Sequence, residues 1–100
     1  MIKHMVCWKL KTEANGRSKQ ENLQIAKELL KGLKDKIPEI VRLEAGTNTN
    51  ATPEAFDLAL YCEFETQEAL DAYQAHPEHQ RAVEFLRKVR DGRVVVDYLV

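Results

Sequence analysis

Residues 18–38 constrain the fold more than any other stretch. Ser18-Lys19-Gln20-Glu21 has the form of a capping box, in which the Ser18 hydroxyl accepts from the amide three residues on and Glu21 reaches back to the Ser18 amide. Leu23, Ala26, Leu30, Leu33 and Ile37 follow at three- and four-residue steps, and Ile25 and Leu29 widen the stripe. Lys34 and Lys36 oppose the negative end of the helix dipole, and Pro38 disfavours the helical conformation at Ile37. The result is one helix with a broad apolar face, and the segments around it must supply the surface that covers that face.

Those segments alternate as strands do. In residues 2–10, Ile2, His4, Val6, Trp8 and Leu10 fall on one face and Lys3, Met5, Cys7 and Lys9 on the other. A Glu-Ala-Asn-Gly turn follows at 13–16. Residues 39–48 read as a second strand, with Val41, Leu43 and Ala45 opposed to Arg42 and Glu44, and Gly46 to Pro53 as a polar turn region. In residues 55–65, Phe56, Leu58, Leu60, Cys62 and Phe64 share a face. Thr66 caps a second helix with Ala69, Leu70 and Tyr73 inward. Pro77 interrupts it and starts a new helical segment that runs to about Val89. Asp91-Gly92 reads as a turn before a terminal strand, residues 94–100.

The order strand, helix, strand, strand, helix, strand predicts an α+β, ferredoxin-like βαββαβ fold, with both helices on one face of an antiparallel sheet. The first and third strands are then central neighbours. At 100 residues the chain is expected to be a single domain over 1–100. A net charge of −1 with scattered Lys and Arg argues against nucleic acid and anionic membrane as partners. The apolar N-terminus is too short and interrupted for a signal peptide or a spanning helix. Cys7 and Cys62 lie far apart in sequence and on opposite faces, which fits a reducing cytoplasm rather than a disulfide framework.

Two helices cover only one sheet face. The other is expected to carry Met5, Cys7, Ala59, Tyr61, Val95 and Leu99, with Lys3, Lys9, Asp57, Glu63 and Asp97 among them. A contiguous apolar surface of this kind marks an interface, so a homodimer packed through the open sheet faces is predicted.

Two of the chain's three histidines stand in Tyr73-Gln74-Ala75-His76-Pro77-Glu78-His79. His79 lies on a stripe with Val83 and Leu86 and faces the sheet. A half-buried imidazole suits general-base work when a partner orients it. His76, just before Pro77, reads as a capping residue. On an unbroken helix Tyr73 and His79 would stand about 240° apart, so only the break at Pro77 brings both toward one pocket. His4 shares its strand face with Val6 and Trp8 and needs a polar partner there, with His79 and Tyr73 the candidates. A pocket lined by His4, Val6, Trp8, Leu86 and Val96 would suit a small carbonyl compound. His76, Glu78 and His79 lack the spacing of a metal site, because the proline sits between the histidines. With no glycine-rich phosphate loop, nucleophilic triad or redox cysteine pair either, no metal and no cofactor are expected.

Several stretches carry a resemblance: Ile2-Lys3-His4-Met5-Val6, Lys36-Ile37-Pro38-Glu39-Ile40, Glu44-Ala45-Gly46-Thr47-Asn48, Phe56-Asp57-Leu58-Ala59-Leu60, Ala72 to His79, and Val96-Asp97-Tyr98. Along nearly its whole length the chain resembles the stress-responsive dimeric α/β-barrel (Dabb) family. The resemblance implies a ferredoxin-like protomer, a two-chain barrel closed through the open sheet faces, and a link to stress responses. One branch of that family resembles polyketide cyclases that use a His base beside a Tyr, and the matching positions are His79 and Tyr73. His4 matches a pocket-lining strand histidine. Three readings stay open: a small-molecule-binding barrel without chemistry, a cofactor-free cyclase, lyase or isomerase using His79 and Tyr73, and a purely structural dimerisation domain.

Overall fold

A computed structural model describes residues 1–100. The strands are β1 (Ile2–Leu10), β2 (Glu13–Ala14), β3 (Arg17–Ser18), β4 (Arg42–Thr47), β5 (Leu58–Phe64) and β6 (Arg90–Leu99). The helices are α1 (Lys19–Lys36), α2 (Gln67–Ala75) and α3 (Pro77–Val89). The main sheet is antiparallel in the order β4-β5-β1-β6, with the helices on one face, which is the ferredoxin-like arrangement. No helix is long and apolar enough to cross a membrane.

The capping box forms as the sequence requires: Glu21 N–H donates to Ser18 Oγ at 3.2 Å and Ser18 N–H to Glu21 Oε1 at 3.0 Å. Leu23, Ala26, Leu30, Leu33 and Ile37 are all buried, against Val6, Trp8, Leu58, Leu60, Cys62 and Phe64 of the two central strands. The 13–16 turn is tighter than expected. Asn15 and Gly16 both have positive φ, 56° and 72°, which gives the twist that joins β2 to β3 as a two-residue hairpin. Asn22 is buried on α1 because its Nδ2 donates to Ala14 O at 3.0 Å, tying that hairpin to the helix.

Four expectations need correction. Phe56 and Asp57 precede β5 rather than belonging to it. The Asp57 carboxylate accepts the Leu10 N–H at 2.8 Å and faces Lys19 Nζ at 3.4 Å, so it does not solvate the open face. Asp91-Gly92 is not a turn; β6 runs through it without a break. Its register does shift there, because Lys9 pairs with Gly92 and Leu10 with Arg90, leaving Asp91 as the extra residue of a bulge.

The fourth correction concerns the faces of β6. Met5 pairs with Val96 and Cys7 with Val94, so Val94, Val96 and Tyr98 lie on the open face, while Val95, Asp97 and Leu99 lie on the helix side. The expected assignment was the reverse. Val94-Val95-Val96 is apolar in both parities, so alternation cannot choose between registers one residue apart, and such a slip exchanges the faces of every side chain.

Removing Leu30 side-chain atoms leaves a hole under α1, whereas removing the Ser18 hydroxyl orphans one amide at its start. Leu30→Ala should cost about 2–5 kcal/mol and Ser18→Ala about 1 kcal/mol in urea unfolding.

Candidate functional site

The site begins with a missing proton. Pro77 has no N–H, and His76 adopts an extended conformation (φ −66°, ψ 137°) that closes α2 and opens α3 at once. The Glu78 N–H, which in a continuous helix would donate to Gln74 O, donates to His76 Nδ1 at 3.1 Å. That leaves the Gln74 carbonyl free. It accepts from His79 Nδ1 at 3.1 Å and from Gln80 Nε2 at 2.6 Å. A carbonyl only accepts, so Nδ1 carries the proton and neutral His79 presents its lone pair at Nε2.

The same joint brings the two halves of the motif together. The Tyr73 and His79 rings lie 4.3 Å apart at 50°, and the His4 ring stands edge-on to Tyr73 at 6.0 Å. Phe64 packs on Tyr73 at 4.9 Å. His76 remains a cap, as its sequence position implies.

His4 is buried, yet its polar partner is neither His79 nor Tyr73. Its Nδ1 lies 2.5 Å from Asp97 Oδ1, its cross-strand neighbour on β6. Alternation alone places this aspartate on the open face, whereas its pairing with His4 turns it toward the helices. Both buried-side imidazoles thus have Nδ1 engaged and Nε2 without a protein partner.

These groups border a cavity of about 50 Å³ between the sheet, α1 and α3. It holds a few waters or a small polar group and is well below the ~150 Å³ that accommodates benzene. His4, Val6, Trp8, Tyr73, His79 and Leu86 are among the residues that line it. Val96 does not; it is 58% exposed on the opposite sheet face. Sequence reasoning missed Gln74, Arg90 and Arg93 in the lining. A signal for the arginines existed in Gly92, since a glycine inside a strand pattern often marks a bulge.

Burial governs the electrostatics. It pushes the His79 imidazole below its ordinary value against the opposing pull of the Gln74 carbonyl, and the charges of His4, Arg93 and His76 act in the same direction as burial. Burial also holds the Tyr73 phenol far above its usual range, so Tyr73 is a neutral hydrogen-bond donor. Its fully buried hydroxyl reaches no protein oxygen or nitrogen, and beside it lies the Cys62 thiol, itself pushed up to about 12 by burial. A neutral imidazole nitrogen at this small space can take a proton from a bound molecule, while the Tyr73 hydroxyl is sealed beside Cys62, which does not line the cavity.

Relatives with solved structures share this fold. A dimeric protein of unknown function from Bacteroides fragilis is 33% identical, with a TM-score of 0.82 over 99% of this chain and 95% of that one. A dimeric ferredoxin-like protein of unknown function from Jannaschia sp. is 30% identical, with a TM-score of 0.75 over 99% of this chain and 98% of its own. A hydroxynitrile lyase from Passiflora edulis is 16% identical and shares the fold, with a TM-score of 0.83 over 99% of this chain and 92% of that one. No curated protein matches the sequence. Residues 2–100 match the model of the stress responsive A/B barrel domain, Dabb. With that match over nearly every residue, the chain belongs to the stress-responsive A/B barrel domain family.

Proposed function

We propose that the protein is a homodimeric barrel whose chains each bind a small organic molecule in the cavity between sheet and helices. The observation that carries the binding reading is the convergence of His4, Tyr73 and His79 on one small space, with both Nδ1 atoms already engaged and the phenol unpaired. Orienting two imidazoles through a carboxylate and a freed carbonyl is an arrangement that a merely filled core does not need. The dimer reading rests on Met5, Val94, Val96 and Tyr98, all more than 40% exposed on the open face, and on the dimeric relatives at 33% and 30% identity. Two free cysteines on opposite faces fit a reducing cytoplasm.

A second reading is favoured by the free Nε2 of His79. His79 would act as general base and Tyr73 as hydrogen-bond donor in a cofactor-free lyase, cyclase or isomerase step. The lyase of Passiflora edulis supports this only by showing that the fold can host such an enzyme. A purely structural domain is the remaining alternative, and it predicts no saturable ligand.

Thermal-shift screening of small carbonyl compounds should raise the midpoint of the wild type and leave His79→Ala unmoved. Equal shifts in both would place binding elsewhere, and no shift in either would favour the structural reading. Sedimentation at micromolar concentration should give the mass of two chains, and Val96→Asp, which places a charge on the open face, should give one.

The depressed imidazole also sets a pH signature. Its folded value lies below the unfolded one, so the unfolded chain binds the extra proton between the two values, and stability falls as pH drops from about 6.5 through the folded value. His79→Gln should flatten the wild-type loss of thermal midpoint between about pH 7 and pH 5.

A further inference from the structure

The bulge in β6 has a geometric effect on the cavity. Arg90 and Arg93 are three residues apart, so a regular strand would place them on opposite faces. Because Asp91 is the extra residue, Arg90 sits opposite Leu10 and Arg93 opposite Trp8, both on the helix side. Both arginines line the cavity that holds His4, Tyr73 and His79.

Neither guanidinium has a carboxylate partner. The chain's ion pairs are His4–Asp97, Lys19–Asp57, Lys36–Glu78, Arg42–Glu44 and Arg81–Glu78, and none involves Arg90 or Arg93. Only Lys19, Lys36, Arg42 and Arg81 among the 15 Lys and Arg are in ion pairs, so Arg90 and Arg93 are set apart by their place at the cavity rather than by lacking a partner. The cavity lining contains two arginines and no Asp or Glu. Arg90 is half-buried and Arg93 exposed, so the pair is reachable from solvent while bordering the cavity. The Arg93 charge reaches both His79 and Tyr73, so an anion held there would lie beside the reactive groups.

We infer that the cavity mouth is an anion site, and that the ligand is a small carboxylate whose charged end rests against Arg90 and Arg93 while its other end enters toward Tyr73 and His79. The inference rests on the cavity reading above and adds the chemical class. Guanidinium groups pair with carboxylates through two parallel hydrogen bonds, which fixes orientation as well as charge. The small interior admits only a few heavy atoms beyond that group. A short 2-oxo acid meets the size and charge requirements, with its carboxylate at the arginines and its carbonyl end toward Tyr73 and His79.

The test is a set of NMR titrations of the isotope-labelled protein at low salt, with pyruvate, its neutral amide pyruvamide, and inorganic phosphate as probes. Pyruvate should bind saturably and shift the signals of Arg93 and His79. Pyruvamide, and pyruvate on Arg93→Gln or Arg90→Gln, should each bind at least about tenfold more weakly. Both arginine variants should keep the wild-type spectrum elsewhere, since the Arg90 cap to Leu86 uses backbone atoms. Equal binding of acid and amide, abolished by His79→Ala, would overturn the anion site and leave the cavity reading standing. No saturable binding by pyruvate, or pyruvate binding that survives both arginine substitutions unchanged, would overturn the anion site, whereas pyruvate binding that survives His79→Ala and both arginine substitutions unchanged would overturn the cavity reading as well. Phosphate binding as tight as pyruvate would refute the carboxylate assignment.

Discussion

The candidate site depends on a hydrogen bond that cannot form. Without an amide proton at Pro77, the ladder between α2 and α3 stops, His76 takes the Glu78 N–H, and the Gln74 carbonyl is left facing His79. One backbone carbonyl thereby determines which nitrogen of His79 is protonated and which is open. The same turn in the chain swings His79 back over Tyr73, from the 240° separation of an ideal helix to ring contact at 4.3 Å. An alanine at 77 would restore the ladder and remove the orientation, though every side chain of the site would still be present.

Much of this architecture could be read from the residues, because local and long-range requirements agree there. Capping residues, apolar spacing and terminal lysines all specify α1, and the alternation of β1 and β5 specifies the central pair. The joint at Pro77 could be read for the same reason, since a proline constrains its own φ and its predecessor's. Where two arrangements satisfied the pattern equally, the residues were silent. Val94-Val95-Val96 is apolar in both parities, so the facing of β6 was settled by pairing with β1 and by the bulge, and neither leaves a composition mark beyond Gly92. That one ambiguity accounts for the misplacement of Val96, the unforeseen partnership of Asp97 with His4, and the missed arginines.

The site is also asymmetric in charge. Burial depresses the imidazole and keeps the phenol protonated, while Arg90 and Arg93, without carboxylate partners, are also among the lining residues. In such a low-dielectric interior each electrostatic interaction is stronger than in water. His4 is the exception, tied to a carboxylate that remains 39% exposed, so one end of the array stays in touch with solvent.

β1 serves both faces of the molecule with alternate residues. His4, Val6 and Trp8 turn toward the cavity, while Lys3, Met5 and Cys7 turn toward the open side of the sheet. Such a strand behaves like a reading frame. Substitutions change one role at a time, but the gain or loss of a single residue between Ile2 and Leu10 would interchange the inward and outward positions of the rest of the strand unless a bulge absorbed it, as at Asp91 of β6. Length, more than identity, is therefore the property of this segment that descent must preserve.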